Sequence, residues 1–429
     1  MTAIIADKTT PQPGGGLRGA SFRALWAAVS TSQVGSTVTA VLIPLIAVVN
    51  LGASASDMGW LVAVGMTPAM LVRLPVAAWS DAWRGSRVAL MVVCNIVQAA
   101  VIGLIPLLWW QNVLTFPILI SLVGVASLLT GLYASLSSPV LVEVVAREHL
   151  VSANGKINAS RSVADVTGPA IGSALLTFLA APLVVLIDSL SFLLSALLLG
   201  RVRVRKGAEE ATAPQGPAAG SRSAWRDTTS LAHRLLQCSG VQAMLVVAFV
   251  NGIVDTVLVL FMVDVLKLPS PLIGLLLGLG AVGGIAGGML VGRVLNRYGP
   301  GLTLVAGVVS TVFSLSLLPF GVAGVFGAAG VVVFELAGSF GGTLMIATVF
   351  GTLQGAAPDG KVARVMALAG MSLQVAGLVG VTVGGVLGTV LGLRPTLVGA
   401  LALLVLALTP QILRWHAAGW SIDTEKEIS

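Results

Sequence analysis

The sequence predicts an all-α membrane protein: twelve transmembrane helices in two six-helix bundles that repeat one another. Three observations carry this. The 429 residues are 56% hydrophobic and only 10% charged, with a mean hydropathy of +0.99. The apolar residues gather into twelve long runs separated by short polar breaks. Segments of the first half recur in the second at a fixed offset.

A soluble domain carries about 25% charged residues. This chain could not cover a water-facing surface, so lipid is its solvent. About 20 apolar residues span a hydrocarbon core roughly 30 Å thick. Runs at 22–49, 57–80, 88–110, 116–142, 154–180 and 182–200 meet that length in the first half. Runs at 240–265, 271–292, 301–321, 323–350, 363–391 and 394–414 meet it in the second. Barrel strands alternate over about 10 residues, whereas these runs are longer and apolar on all sides. The 51 glycines suit membrane helices, whose backbones approach closely where side chains are small.

Between the halves, RVRVRKGAEEATAPQGPAAG opens a charged, Pro/Gly-rich stretch that reads as a flexible linker. The expected units are a tail at 1–21, a six-helix bundle at 22–200, a linker at 201–239, a second bundle at 240–414 and a tail at 415–429. Late in the linker, SAWRDTTSLAHRLLQ reads either as a helix lying on the membrane surface or as solvated chain. The polar, Gly/Pro-rich start has no apolar core of a cleavable leader, so the first helix is expected to serve as insertion signal.

Charge orients the chain. With both termini and the linker on the cytoplasmic side, all of the 24 Lys and Arg fall inside except Arg73, Lys267 and Arg394. The net charge of +7 then follows from topology in a cell membrane. It calls for no nucleic-acid partner, and no basic stretch carries the interleaved aromatics of one. Cys94 and Cys238 suggest neither a disulfide framework nor a metal site. No phosphate-binding loop or nucleophile–base set is present, so neither a cofactor nor enzyme chemistry is expected.

The repeat is visible in residues. GPAIGSAL at 168–175 matches GVTVGGVL at 380–387, and the same offset lays AREHLVSAN (146–154) on PDGKVARVM (358–366). WSDAWRGSR (79–87) falls within one residue of VGRVLNRYG (291–299). Two parallel six-helix repeats are a transporter signature, one half rocking against the other about a central site.

Over nearly its whole length the chain resembles the major facilitator superfamily, in particular its bacterial drug-exporter branch. FRALWAAVSTSQVGSTVTAVLIPL is similar to that branch's first helix. LPVAAWSDAWRGSRVAL resembles the superfamily's loop between helices two and three. LVEVVAREHLVSANGKINASRSVADVTGPAIGSALL resembles the branch's passage from helix four to five, and VVLIDSLSFLLSALLL its sixth helix. Three positions depart from the pattern. Ala82 follows Asp81 where a basic residue is usual, Ala77 replaces a glycine, and Ser36 stands where an acid is common. The resemblance implies proton-driven export of an amphiphilic small molecule by a protein expected to act as a monomer. A nutrient importer or facilitator of the same fold, or a non-transporting sensor or scaffold, is the alternative.

Ionisable groups inside the bilayer are expensive and mark function. Asp255, Glu335 and Asp165 are expected near mid-membrane, Asp188 nearer the outer face. They are the candidates for proton coupling, because a carboxyl withdrawn from water takes up a proton more readily. The alternative for each is a carboxyl hydrogen-bonded to neighbouring helices, or paired with Arg73. Gly168, Pro169 and Gly172 form a small-residue face with a missing backbone donor, read as a hinge or seal. The resemblance associates such a Gly-Pro motif with export. It also assigns Asp81, Arg84 and Arg87 to a cytoplasmic gate, with Arg364 as partner. Gln33, Thr37, Arg73, Asn251, Phe334 and Gln374 are the candidate lining of the substrate cavity.

Overall fold

The structure, a computed structural model, describes residues 19–82, 86–146, 149–203, 233–356 and 362–417. Among them every regular element is helical. The first half comprises α1 (Ala20–Asn50), α2 (Ala55–Ala82), α3 (Arg87–Trp110), α4 (Phe116–Val144), α5 (Leu150–Leu176) and α6 (Ala181–Leu199). The second half begins with α7 (Ser239–Val265) and a 48-residue helix, Ser270–Leu317. It ends with α10 (Val325–Ala356), α11 (Val362–Val390) and α12 (Leu393–Ala417).

Ten helices among the described residues are long and apolar enough to cross a membrane. The 48-residue helix is one of them, yet it holds a break. Gly299 has φ 76° and ψ 173°, outside the helical region. A positive φ is costly for residues with a β-carbon, and Pro300 follows at once. The arms on either side are α8 (270–298) and α9 (300–317). The sequence predicts a polar loop from 293; instead the helix runs on through Arg293 and Arg297 to Gly299, since nothing before Gly299–Pro300 stops it. Helix α5 holds an apolar stretch of only Val163–Leu176, because Asn, Lys, Arg and Ser fill its first half. With α5 and the two arms counted separately, the described residues hold twelve helices.

The tails, most of the linker and Arg84 lie outside the described residues. Of the expected surface helix, residues 233–237 are described and form a helical turn.

Helices of the first half pack on one another: α1 on α5 and α6, α3 on α4 and α6, α2 on α4. Those of the second half do likewise, α8 and α9 with α10, and α7 with α11 and α12. In lipid there is no hydrophobic drive between helices, so close backbone approach and polar ties do the work. A β-carbon at Gly283 of α8 would stand 2.9 Å from Leu336 Cα of α10, and one at Gly384 of α11 would stand 2.7 Å from Ile253 Cα of α7. Polar ties cross the same seams. Asn95 of α3 donates to Ser195 Oγ of α6 at 2.8 Å, and Trp415 of α12 donates to Ser239 Oγ of α7 at 3.0 Å.

The halves meet along two seams, α2 with α11 and α5 with α8. Both seams hold close contacts far from the ends that carry the termini. A β-carbon at Gly385 would lie 3.1 Å from Gly59 Cα, and one at Gly278 would lie 3.1 Å from Pro169 Cβ. Toward the terminal face, α2 and α11 part around a cleft of about 150 Å³ lined by Met66, Thr67, Met70, Gln374 and Leu378.

Candidate functional site

Helical spacing builds the site. On α7, Asn251 and Asp255 lie four residues apart and so share a face. On α10, Glu335, Ser339, Thr343 and Ile346 form a stripe at the same kind of spacing, with Phe334 beside it. These two faces, together with Thr311, Ser314 and Leu315 of α9 and Leu404 of α12, enclose a cavity of about 310 Å³. Asp255 is exposed into it and Glu335 is half-buried at its wall.

The Glu335 carboxylate rests against α8. A β-carbon at Gly280 would stand 2.5 Å from its Oε2 and 2.9 Å from Ser339 Oγ. The hydroxyls are tied down by their own helices. Thr311 donates to the Gly307 carbonyl at 2.9 Å, Ser314 to Thr311 O at 2.8 Å, and Thr343 to Ser339 O at 2.9 Å. A hydroxyl has one hydrogen and two lone pairs. With the hydrogen given to the backbone, each of these three can offer only acceptor sites to the cavity. Two carboxylates add more acceptors, and among the described residues no Lys, Arg or His lines the cavity. The lining therefore suits a cation or a donor-rich ligand, with Phe334, Leu315, Ile346 and Leu404 giving apolar contact. Among the described residues no three His, Cys, Asp or Glu side chains gather as a transition-metal set.

The structure thus brings Asp255, Glu335, Asn251 and Phe334 together and places the other candidates elsewhere. Asp165 is exposed on α5, one turn from Pro169. Pro169 faces Gly278 of α8, so the Asp165 side of α5 points along the α5–α8 seam. Gly168 lies against Thr37 of α1 and Gly172 against Val38. Thr37 donates to the Ala164 carbonyl at 3.1 Å, so its hydroxyl joins α1 to α5. Gln33 is half-buried one turn earlier on α1, and Gln374 lines the α2–α11 cleft.

Asp188, expected with the coupling acids, is 2% exposed and lies outside that cavity. It sits between α6 and α1, where Ser36 donates to its Oδ1 and Ser191, whose hydrogen goes to the Asp188 carbonyl at 2.8 Å, lies 3.3 Å from the same oxygen. Arg87, expected at the gate, forms an ion pair with Glu143 at the end of α4, within the first half. Asp81 ends α2, Arg364 begins α11 and Arg73 lies inside α2; their side chains are outside the described part.

Sequence reasoning passed over the hydroxyls of the site. The signal was present as Glu335, Ser339 and Thr343 at four-residue spacing. It did not extend to Thr311 and Ser314, because only packing shows that α9 turns them to the same space. Glu143 was also passed over, though an acid in LVEVV at a helix end needs a partner.

With this geometry in hand, comparison with known proteins decides the family. The family model of the Major Facilitator Superfamily matches residues 25–381 and 243–418. The chain belongs to that superfamily. Its fold is also that of solved members of similar size. A point mutant of the nucleoside transporter NupG superposes with a TM-score of 0.72 at 13% identity, over 92% of this chain and 99% of that one. A bacterial homologue of the iron transporter ferroportin, inward-facing, gives 0.68 at 17% identity over 92% and 98%. A bacterial homologue of the human lysosomal transporter Spinster, inward-facing and unoccupied, gives 0.66 at 14% over 92% and 96%. At these identities the likeness is one of fold. No curated protein matches this sequence significantly. This superfamily member is therefore a multi-pass membrane transporter, which is not an enzyme family in general.

Proposed function

We propose that this protein is a proton-coupled exporter of amphiphilic cations, working by alternating access in the cell membrane as a monomer with both termini cytoplasmic. The observation that carries the reading is the pair of acids, Asp255 and Glu335, on the wall of one cavity that, among the described residues, holds no basic side chain. A cationic substrate and protons would compete for these carboxylates. Loading from the cytoplasm would displace protons; reprotonation from outside would release the substrate. A neutral, reloaded pair then lets the empty protein return. Export driven in this way needs no ATP.

On this reading the two units, 22–200 and 240–414, rock about the 201–239 linker. With the termini inside, the Gly59–Gly385 and Pro169–Gly278 contacts close the outer end, and the conformation is inward-facing. Gly168, Pro169 and Gly172 keep α5 narrow enough to seat against α1 and α8. Asp165 stands on the route by which the α5–α8 seam opens, where an acid can exchange protons with water. Asp81, Arg84, Arg87 and Arg364 would close the opposite, cytoplasmic end.

Uptake of lipophilic cationic dyes into energised inverted vesicles tests this. Wild type is expected to move dye only with a proton gradient, and Asp255→Asn or Glu335→Gln to stop it. Gradient-independent movement would refute the coupling.

A second reading has an observation of its own. Five of the cavity residues, Asn251, Thr311, Ser314, Ser339 and Thr343, are uncharged and polar, more than an apolar drug requires. Import or facilitated passage of a polar metabolite fits that lining. Uptake of a labelled polar solute, in place of dye efflux, would favour it.

A further inference from the structure

An organic cation can be held in two ways. A cage of aromatic faces suits a quaternary ammonium, which has no hydrogen to give. Hydrogen-bond acceptors suit an ammonium that still carries N–H groups. The Asp255–Glu335 cavity fits the second. Among its described lining residues Phe334 is the one aromatic ring, so no cage forms.

Acceptors dominate instead. The hydroxyl hydrogens of Thr311, Ser314 and Thr343 go to backbone carbonyls, which turns lone pairs to the cavity. Of the uncharged polar side chains described there, Asn251 and Ser339 keep a hydrogen for a ligand. The acceptors also share a track. Glu335, Ser339 and Thr343 follow one another on α10 at four-residue spacing, about 6 Å per step. Gly338 and Gly342 line the same stretch, and a β-carbon at Gly342 would meet nothing within 4 Å. The backbone there leaves free space beside the track.

Glu335 Oε2 and Ser339 Oγ crowd one spot, 2.5 and 2.9 Å from where a Gly280 β-carbon would lie. Charge-assisted N–H···O bonds are about 2.7–2.9 Å long, so one ammonium can bridge these two oxygens. Methyl groups in place of its hydrogens would hold the nitrogen away, since a carbon stands about 3.3 Å or more from an oxygen. They would also leave the acceptors unpaired, which is costly in a closed site.

We propose that the cargo of this cavity is a protonated primary or secondary amine, recognised through its N–H groups, and that quaternary ammonium ions are poor ligands. This rests on the reading of the Asp255–Glu335 cavity as the substrate site. Asp255 and Glu335 supply the countercharge, and Ser339 and Thr343 take up hydrogens.

Two probes of equal charge and chain length test it: hexylammonium and hexyltrimethylammonium chloride. Each is titrated into the purified full chain in detergent at about pH 8, where an alkylamine is still cationic. Thermal unfolding reports binding, because a ligand of the native state raises Tm. Hexylammonium is expected to give the same shift at no more than about one-tenth of the trimethyl concentration, as loss of a charged hydrogen bond implies. The double variant Asp255→Asn/Glu335→Gln should respond to neither. Thr343→Val, which keeps the shape and removes one acceptor, should need several-fold more hexylammonium and the same amount of the trimethyl ion. Equal shifts from the two probes, lost in the double variant, would overturn the proposal and leave the cavity reading standing. An equal loss for both probes in Thr343→Val would overturn it too. No shift from either probe in wild type, or a full shift in the double variant, would overturn the cavity reading and the proposal with it.

Discussion

The carboxylate of Glu335 rests on the backbone of Gly280, where a β-carbon would come within 2.5 Å of its Oε2. Helix α8 therefore fixes where the acid of α10 can stand. This makes Gly280 a positioning residue. In Gly280→Ala the new methyl meets the end of a side chain, so the fold can yield by moving the carboxylate. Alanine also favours a helix over glycine by about 1 kcal/mol. The expected result is unchanged or slightly raised Tm with transport lowered about tenfold to 100-fold, as small misplacements at a site can do. Parallel thermal and transport assays separate the two effects.

The α2–α11 seam makes a different prediction. Gly59 has room for no side chain: its β-carbon would lie 3.0 Å from Gly385 Cα and 3.2 Å from Val381 O. Gly59→Leu should wedge this end apart. A cysteine placed by Gln374→Cys, in the cleft just beyond, should then react several-fold faster with a maleimide added from the face opposite the termini. The native cysteines, Cys94 and Cys238, are buried and give a low background. An unchanged rate would mean that this contact is not the seal.

Arg87 and Glu143 are only 17% and 11% exposed, so their pairing joins α3 to α4 in a partly dehydrated place. A double-mutant cycle of Arg87→Met and Glu143→Gln, read by thermal unfolding, should return a coupling of about 0.5–3 kcal/mol. If Arg87 acts solely at a gate, the two single effects should simply add.

The helices were legible because bilayer thickness imposes one length on every span, so hydropathy alone finds α1, α3 and α7 to within a few residues. The break at Gly299 was also readable, as the one Gly-Pro between α8 and α9. Helix α5 was harder: its polar first half obeys lipid poorly, and only one face of it, at Ala153 and Ile157, packs into the first bundle while Ser152, Asn154, Lys156 and Arg161 are exposed. The site divides in the same way. An acid in an apolar run declares itself, as Asp255 and Glu335 do. Whether that acid faces a cavity, like these two, or a serine, like Asp188, depends on which way each helix is rotated. Rotation is set by contacts such as Gly35 against Asp188, between residues 153 positions apart, and no local pattern records them. Ser36, read as a missing acid, illustrates the point, since packing brings the Asp188 carboxyl to its hydroxyl.

Proteoliposomes holding purified protein and a fluorescent lipophilic cation offer the most direct test of coupling through Asp255 and Glu335. Uphill accumulation is measured under an imposed pH gradient, and exchange of substrate at equal pH is measured alongside. Wild type should do both. Glu335→Gln and Asp255→Asn should lose the uphill movement, while at least one of them retains exchange, because a neutral side chain still allows the loaded protein to reorient. Uphill accumulation at the wild-type level in both variants would contradict the account.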